Sequence, residues 1–185
     1  MSKEIIQDAE RRMKKAVEAA GHDYATIRTG RANPMILDGI KLDYFGTPTP
    51  INQVAGVSTP EPRQIMISPW DRSVLEPIVK AIQASDIGLM PQNDGVVIRL
   101  NIPHLNEERR KELIKQLHKR SEEHKVAVRN VRRDANEHLK ARQKSSDISE
   151  DEEKRAQAEV QKITDRYIVE IDKLTAVKEA ELKEV

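Results

Sequence analysis

Apolar residues near the start of the chain recur at three- and four-residue steps: Ile5, Ile6, Ala9, Met13, Ala16, Val17, Ala20, Tyr24 and Ile27. That spacing lines one face of an α-helix. It predicts a helix over about residues 2–29, closed by Gly30 and Pro34, with Gly30 in the positive-φ conformation that helix ends often need. From about residue 105 the helical period returns, and neither glycine nor proline occurs again. Asn106 followed by Glu107 and Glu108 predicts a second helix start. Leu113, Leu117, Val128, Val131, Ala135 and Leu139 predict its buried stripe. The phase breaks around Lys144–Ile148. Ser149 and Glu152 then form a capping-box pattern that opens a third helix. Its predicted stripe is Ala156, Val160, Ile163, Tyr167, Ile171, Leu174 and Val177.

Between these helices the pattern changes. All nine prolines lie between Pro34 and Pro103, and six of the seven glycines between Gly30 and Gly95, so continuous helix is excluded there. Short β-like runs at Ile40–Phe45, Gln64–Ser68 and Val96–Ile102 are separated by turn-rich stretches at 46–50 and 91–95. A helix is predicted over about 73–85, with Ser73 and Glu76 as a capping box and Pro77 tolerated in the first turn. Trp70 is expected to pack between sheet and helix, and Met35, Met66 and Met90 to fill core or hinge. The block 31–104 reads as a small β/α/β domain.

Connectivity supplies the architecture. A short loop joins the second and third helices, which makes them antiparallel neighbours. The first helix ends where the middle domain begins and the second starts where it ends, so these two should also run antiparallel. The expected fold is α+β: an elongated three-helix bundle of residues 1–30 and 105–185, carrying an inserted β/α/β domain of residues 31–104. A helix of about 38 residues would be about 57 Å long. The two connectors are candidate hinges: Gly30, Arg31, Ala32, Asn33 and Pro34 on one side, and Pro103, His104, Leu105 and Asn106 on the other.

Composition sharpens this picture. Of 185 residues, 37% are hydrophobic, 34% charged and 3% aromatic, which suits thin helices with one buried stripe rather than a thick core. Without cysteine, disulfides, thiol catalysis and cysteine-bound zinc are excluded. No apolar run has the length of a signal peptide core or of a membrane span. The chain is therefore expected to be cytoplasmic with no membrane contact; it is also expected to be a monomer.

The formal net charge of +1 hides an uneven distribution. Residues 105–144 carry a net +6 and residues 145–185 a net −5. At about 100° per residue, Lys125, Arg132, Arg133 and Lys140 fall within about 60° of Arg129, and Asn136 sits among them. The apolar seam lies near −110° on the same scale, and Glu123, Asp134 and Glu137 lie on the opposite flank. A basic stripe thus runs beside the seam, interrupted by Glu122. Such a stripe suits a phosphate backbone, which guanidinium groups bind in planar, charge-assisted fashion. It also fits a solvated face neutralised by the acidic third helix, and the pattern alone leaves both open. Aromatic residues are not interleaved, so base stacking is not indicated.

Catalysis finds no foothold. Phosphate-loop, nucleophile-elbow, zinc-protease and dinucleotide motifs are absent. His22, His104, His118, His124 and His138 make no ligand pair at helical spacing. His124 and His138 are expected at seam edges. No metal, cofactor or enzymatic activity is expected.

Six segments together carry a specific likeness. They are Ile27-Arg-Thr-Gly-Arg-Ala32, Tyr44-Phe-Gly-Thr-Pro-Thr-Pro50, Asn106-Glu-Glu-Arg-Arg-Lys111, Val126-Ala-Val-Arg-Asn-Val-Arg-Arg-Asp-Ala-Asn136, Asp147-Ile-Ser-Glu-Asp151 and Lys178-Glu-Ala-Glu-Leu182. The chain resembles the ribosome recycling factor family over its whole length. The resemblance implies a bundle with an inserted domain, shaped together somewhat like tRNA. It also implies a non-enzymatic factor that binds the post-termination ribosome and, with elongation factor G and GTP, separates the subunits and releases mRNA. It further implies contacts from the bundle to large-subunit rRNA through Arg129 and Arg132, with elongation factor G facing the smaller domain and hinge. Arg133, Lys125, Asn136, Lys140 and Arg28 complete the candidate RNA-binding set. A general RNA-binding helical module without a motor partner is the competing reading.

Overall fold

The structure is a computed structural model and describes residues 1–184. Its order is α1 (Ser2–Ala25), β1 (Lys41–Tyr44), β2 (Thr47–Pro50), β3 (Ala55–Glu61), β4 (Gln64–Pro69), α2 (Leu75–Ala84), β5 (Pro91–Asn93), β6 (Ile98–Asn101), α3 (Glu107–Lys144) and α4 (Glu150–Lys183), with short 3₁₀ turns at Pro34–Leu37, Ile51–Gln53 and Arg72–Val74. The chain forms two compact units. One comprises residues 1–27 with 110–180, and the other comprises residues 28–109 with the stretch from Glu181 onward.

The first unit is the three-helix bundle. Arg12 of α1 meets Asp134 of α3 while Asp23 meets Arg120, so these helices run antiparallel. Ser121 of α3 meets Thr175 of α4 while Arg132 meets Gln161, so this pair is antiparallel too. The seam is filled by Met13, Ala20 and Tyr24, by Leu117, Val128 and Leu139, and by Val160, Ile163, Tyr167 and Ile171. One layer of the seam is polar: Thr175 Oγ1 lies 3.1 Å from Tyr24 Oη and 3.0 Å from Ser121 Oγ, and it bonds the Ile171 carbonyl at 2.8 Å. The three hydroxyls satisfy one another inside the seam, as buried polar groups must.

Both helix junctions follow local chemistry. Asn106 Oδ1 accepts from the Arg109 N–H at 2.7 Å and starts α3. At the other end Ser146 adopts φ 62°, and the Asp147 N–H bonds the Arg142 carbonyl at 2.9 Å in a Schellman-type stop. Ser149 and Glu152 then form the reciprocal capping box, with bonds of 2.8 and 3.1 Å.

Several expectations require correction. Helix α1 ends at Ala25 rather than near residue 29. The Thr26 hydroxyl bonds the Asp23 carbonyl at 2.6 Å, and β-branched Thr26, Ile27 and Thr29 disfavour further helix. Gly30 is not among the positive-φ glycines, which are Gly39, Gly46, Gly88 and Gly95. In α4 the buried face continues through Thr175, Lys178 and Leu182, whereas Val177 is 61% exposed and Leu174 only half-buried. Successive three-residue steps from Ile171 rotate about 60° each away from the seam, and Val177 therefore leaves it.

The second unit packs α2 with a four-stranded antiparallel sheet of order β3-β4-β6-β5 and a β1-β2 hairpin. Ile65 and Ile67 alternate inward on β4, opposite Leu100 and Ile98 of β6, and join Ile78 and Ile82 of α2 in the core. The stretch 46–50, read as a turn, is mostly strand β2: Phe45 and Gly46, at φ 51° and 80°, close the hairpin by themselves. Strands β3 and β5 are additional to the three predicted runs. Pro60 and Pro91 mask them in the sequence, and prolines are admissible there because both strands are sheet edges. The Ser73–Glu76 capping box does not form. Asp71 instead accepts from the Ser73 N–H at 2.9 Å, and a 3₁₀ turn precedes α2. Trp70 does not enter the core and is 71% exposed. Its backbone N–H bonds the Val54 carbonyl, and its indole lies over Gly56 at the sheet end. Met35 and Met90 are likewise exposed and Met66 half-buried.

Candidate nucleic-acid interface

The basic stripe lies along the flank of α3 that borders α4, so its members differ in how far α4 engages them. Lys125 is the most covered, with its side chain 16% exposed and its ammonium 2.5 Å from Asp172 and 3.5 Å from Glu122. The Asp172 carboxylate holds that ammonium above the usual lysine range. Arg129 lies 3.9 Å from the exposed Glu122 carboxylate. Arg132 donates to the neutral Gln161 amide oxygen at 3.3 Å. Arg133 and Lys140 are exposed, and among the described residues no carboxylate pairs with either of them or with Arg132. Asn136 sits among these cations, half-buried, and its Oδ1 is buried with no hydrogen-bond partner. On the opposite flank Asp134 is taken by Arg12 of α1 at 2.8 Å, which keeps that carboxylate away from the stripe.

Arg28 belongs to the other unit, with its guanidinium beside Gly88. The connectors are not slack chain. The Ala32 N–H bonds the Pro62 carbonyl at 2.7 Å, Arg31 pairs with Glu184 at 2.7 Å, and Asn33 Oδ1 caps the Pro34–Leu37 turn through the Met35 N–H. On the return path Ile102 bonds the Arg63 carbonyl at 2.8 Å, Pro103 and His104 are exposed, and Leu105 is half-buried.

One cluster escapes the sequence reading. Asp23, in the last turn of α1, accepts from Arg120 at 3.0 Å and lies 2.8 Å from His124, whose ring packs edge-on against Tyr24. His124 was expected at a seam edge and is there, 18% exposed. Asp23 gave no signal, because its partners are about 100 residues distant in the chain. Asp172 was foreshadowed only by the acidic balance of α4, and the neutral Gln161 gave no signal.

The sequence profile described as Ribosome recycling factor matches residues 20–182. The chain belongs to the ribosome recycling factor family. The ribosome-recycling factor of Symbiobacterium thermophilum is 55% identical over 185 residues, covering all of both chains. That of Clostridioides difficile is 54% identical over the same full length. A solution structure of a ribosome recycling factor aligns with a TM-score of 0.81 at 45% identity, covering all of this chain and 98% of the other. A second solved structure aligns with a TM-score of 0.68 at 44% identity over both full chains. It belongs to models of the T. thermophilus ribosome recycling factor and E. coli elongation factor G bound to the E. coli post-termination complex.

Ribosome recycling factors are translation factors rather than enzymes, so the stripe is to be read as a binding surface and not as catalytic machinery. The work of this recycling factor is ribosome recycling, and its partner is the ribosome. None of its helices is long and apolar enough to cross a membrane, among the described residues.

Proposed function

We propose that the chain docks on large-subunit rRNA of the post-termination ribosome through the α3 stripe of Lys125, Arg129, Arg132, Arg133, Asn136 and Lys140, with Arg28 as a further contact. Elongation factor G with GTP then drives the subunits apart and mRNA is released. The observation that carries this reading is the incomplete neutralisation of the stripe: α4 takes up Lys125, but Arg132, Arg133 and Lys140 have no carboxylate partner among the described residues, and Arg133 and Lys140 are exposed. Cations without a carboxylate partner at a surface are free to neutralise phosphates and release counterions. The relative of T. thermophilus, placed with elongation factor G on a post-termination complex, supports the motor partner. In this reading residues 31–104 act as a domain that moves on the connectors 30–34 and 103–106, and the factor works as a cytoplasmic monomer.

The deciding experiment converts post-termination polysomes to subunits in the presence of the factor, with and without elongation factor G and GTP. Conversion that needs all three components supports the reading. Salt-sensitive binding to bare RNA, with no conversion and no preference for ribosomes, would make the protein a general RNA-binding module instead.

A further inference from the structure

The flank of α4 that borders the stripe carries Gln161, Asp165 and Asp172 at helical spacing. Asp172 takes up a cation, pairing with Lys125 at 2.5 Å. Asp165 does not, and Gln161 is the reason. Its Oε1 accepts from Arg132 Nη1 at 3.3 Å, while its Nε2 donates to Asp165 Oδ1 at 2.8 Å. Both ends of the amide are engaged, and the partners fix which end is which: a guanidinium only donates and a carboxylate only accepts. A flipped amide would set donor against donor and acceptor against acceptor. Glutamine and aspartate four residues apart are also a favourable helical pair, which keeps the amide on the carboxylate in the free protein. Among the described residues no cation pairs with Asp165.

Resting on the stripe as the RNA-binding surface, we propose that Gln161 is a positioning residue that keeps Asp165 off Arg132 and so leaves that guanidinium available to a phosphate. Arg132 and Asp165 stand one amide apart. With the amide removed, the guanidinium swings onto the carboxylate, because a charged acceptor draws it more strongly than a neutral one. A phosphate must then break an ion pair, where in the wild-type protein it displaces only a 3.3 Å neutral bond.

This gives Gln161 a signature that a packing residue lacks. Affinity of Gln161→Ala for isolated large ribosomal subunits should fall roughly two- to fivefold, the worth of an exposed ion pair. The deficit should shrink as salt rises, because salt screens the ion pair that causes it. Gln161 is exposed, so the melting temperature should move by no more than about 2 °C. In an Arg132→Ala background the substitution should have no effect, since the side chain it acts through is gone. Asp165→Asn placed on Gln161→Ala should restore the lost affinity. On the wild-type protein, where the carboxylate is already held, Asp165→Asn should gain less.

Unchanged or raised affinity in Gln161→Ala overturns the assignment: the amide would then be only a bond that docking has to break. A loss that persists in the Arg132→Ala background, a deficit that stays constant across salt, or an Asp165→Asn gain of equal size in both backgrounds overturns it as well. A melting temperature lowered by more than about 5 °C would make Gln161 a packing residue of the α3–α4 seam. If Arg132→Ala itself leaves affinity and salt slope intact, the stripe is not the RNA surface; normal Arg132→Ala behaviour beside a silent Gln161→Ala sinks only the present inference.

Discussion

Arg132→Ala isolates the proposed function from the fold. Within the bundle Arg132 makes a 3.3 Å bond to the exposed Gln161 side chain and no ion pair among the described residues. Deleting a half-buried side chain held by one weak neutral bond at the bundle surface should change stability by less than about 0.5 kcal/mol. For a chain of this size that is a shift of no more than about 1–2 °C in melting temperature. A guanidinium on a phosphate is a charge-assisted bond worth about 1.5–3 kcal/mol, so affinity for large ribosomal subunits should drop roughly ten- to a hundredfold. The plot of log affinity against log salt should become shallower by about one unit, the share of one phosphate contact. The assay is a binding titration at four or five salt concentrations, beside thermal melts followed by circular dichroism. Normal affinity with a melting temperature lowered by more than about 5 °C would mean that Arg132 holds α3 to α4 and does not bind RNA. Weakened affinity with an unchanged slope would mean that its partner is not a phosphate.

Two further outcomes test the fold around that surface. Thr175→Val strands the buried Tyr24 and Ser121 hydroxyls and should cost the bundle about 2–4 kcal/mol; the Tyr24→Phe/Thr175→Val double variant should lose less than the sum, and an effect below about 0.5 kcal/mol would show that the polar layer is dispensable. In the smaller unit the Val97 and Val96 N–H groups and then Arg99 hold the Asp94 carboxyl at about 2, below its ordinary value. A carboxylate with a depressed folded-state pKa stabilises above its unfolded pKa and loses that contribution as pH falls toward the folded one. The stability advantage of wild type over Asp94→Asn should therefore be present above about pH 4 and shrink between about pH 4 and 2. A constant difference across that window in denaturant titrations would remove the electrostatic account.

What the sequence made legible follows the range of the interactions concerned. The three long helices, the capping box of Ser149 and Glu152 and the start at Asn106 are local in origin, and periodicity and side-chain chemistry within four residues suffice to read them. The misreadings have a different source. Val177 looked like a seam residue because it is apolar, yet the seam in that turn is held by Thr175 and Lys178, whose burial depends on partners elsewhere in the bundle. Trp70 looked like core because tryptophan is large and apolar, but the isoleucine and leucine set of β4, β6 and α2 fills the interior without it. Strands β3 and β5 were hidden by prolines that only an edge position permits. Of the site, helical geometry gives the stripe itself. It does not reveal the attachment of Lys125 to Asp172, which depends on how α4 lies against α3, or the burial of the Asn136 Oδ1.

That dependence bears on how many cations the ribosome can use. Each internal partner must be released before a side chain can hold a phosphate, so the structure ranks the stripe by what its members give up. Arg133 and Lys140 surrender nothing. Arg132 exchanges a neutral bond for a charge-assisted one. Arg129 leaves a loose 3.9 Å pairing with an exposed glutamate, which solvent already screens. Lys125 would have to abandon a 2.5 Å pairing with Asp172 that raises its proton affinity. Its charge is then better understood as cancelling Asp172, which would otherwise repel a phosphate brought against the α3–α4 flank. On this argument the salt dependence should count about four phosphates rather than five. Asp172→Asn, by freeing Lys125, should steepen the slope by about one unit. An Asp172→Asn slope equal to that of wild type would show that Lys125 stays turned toward α4 even without its carboxylate.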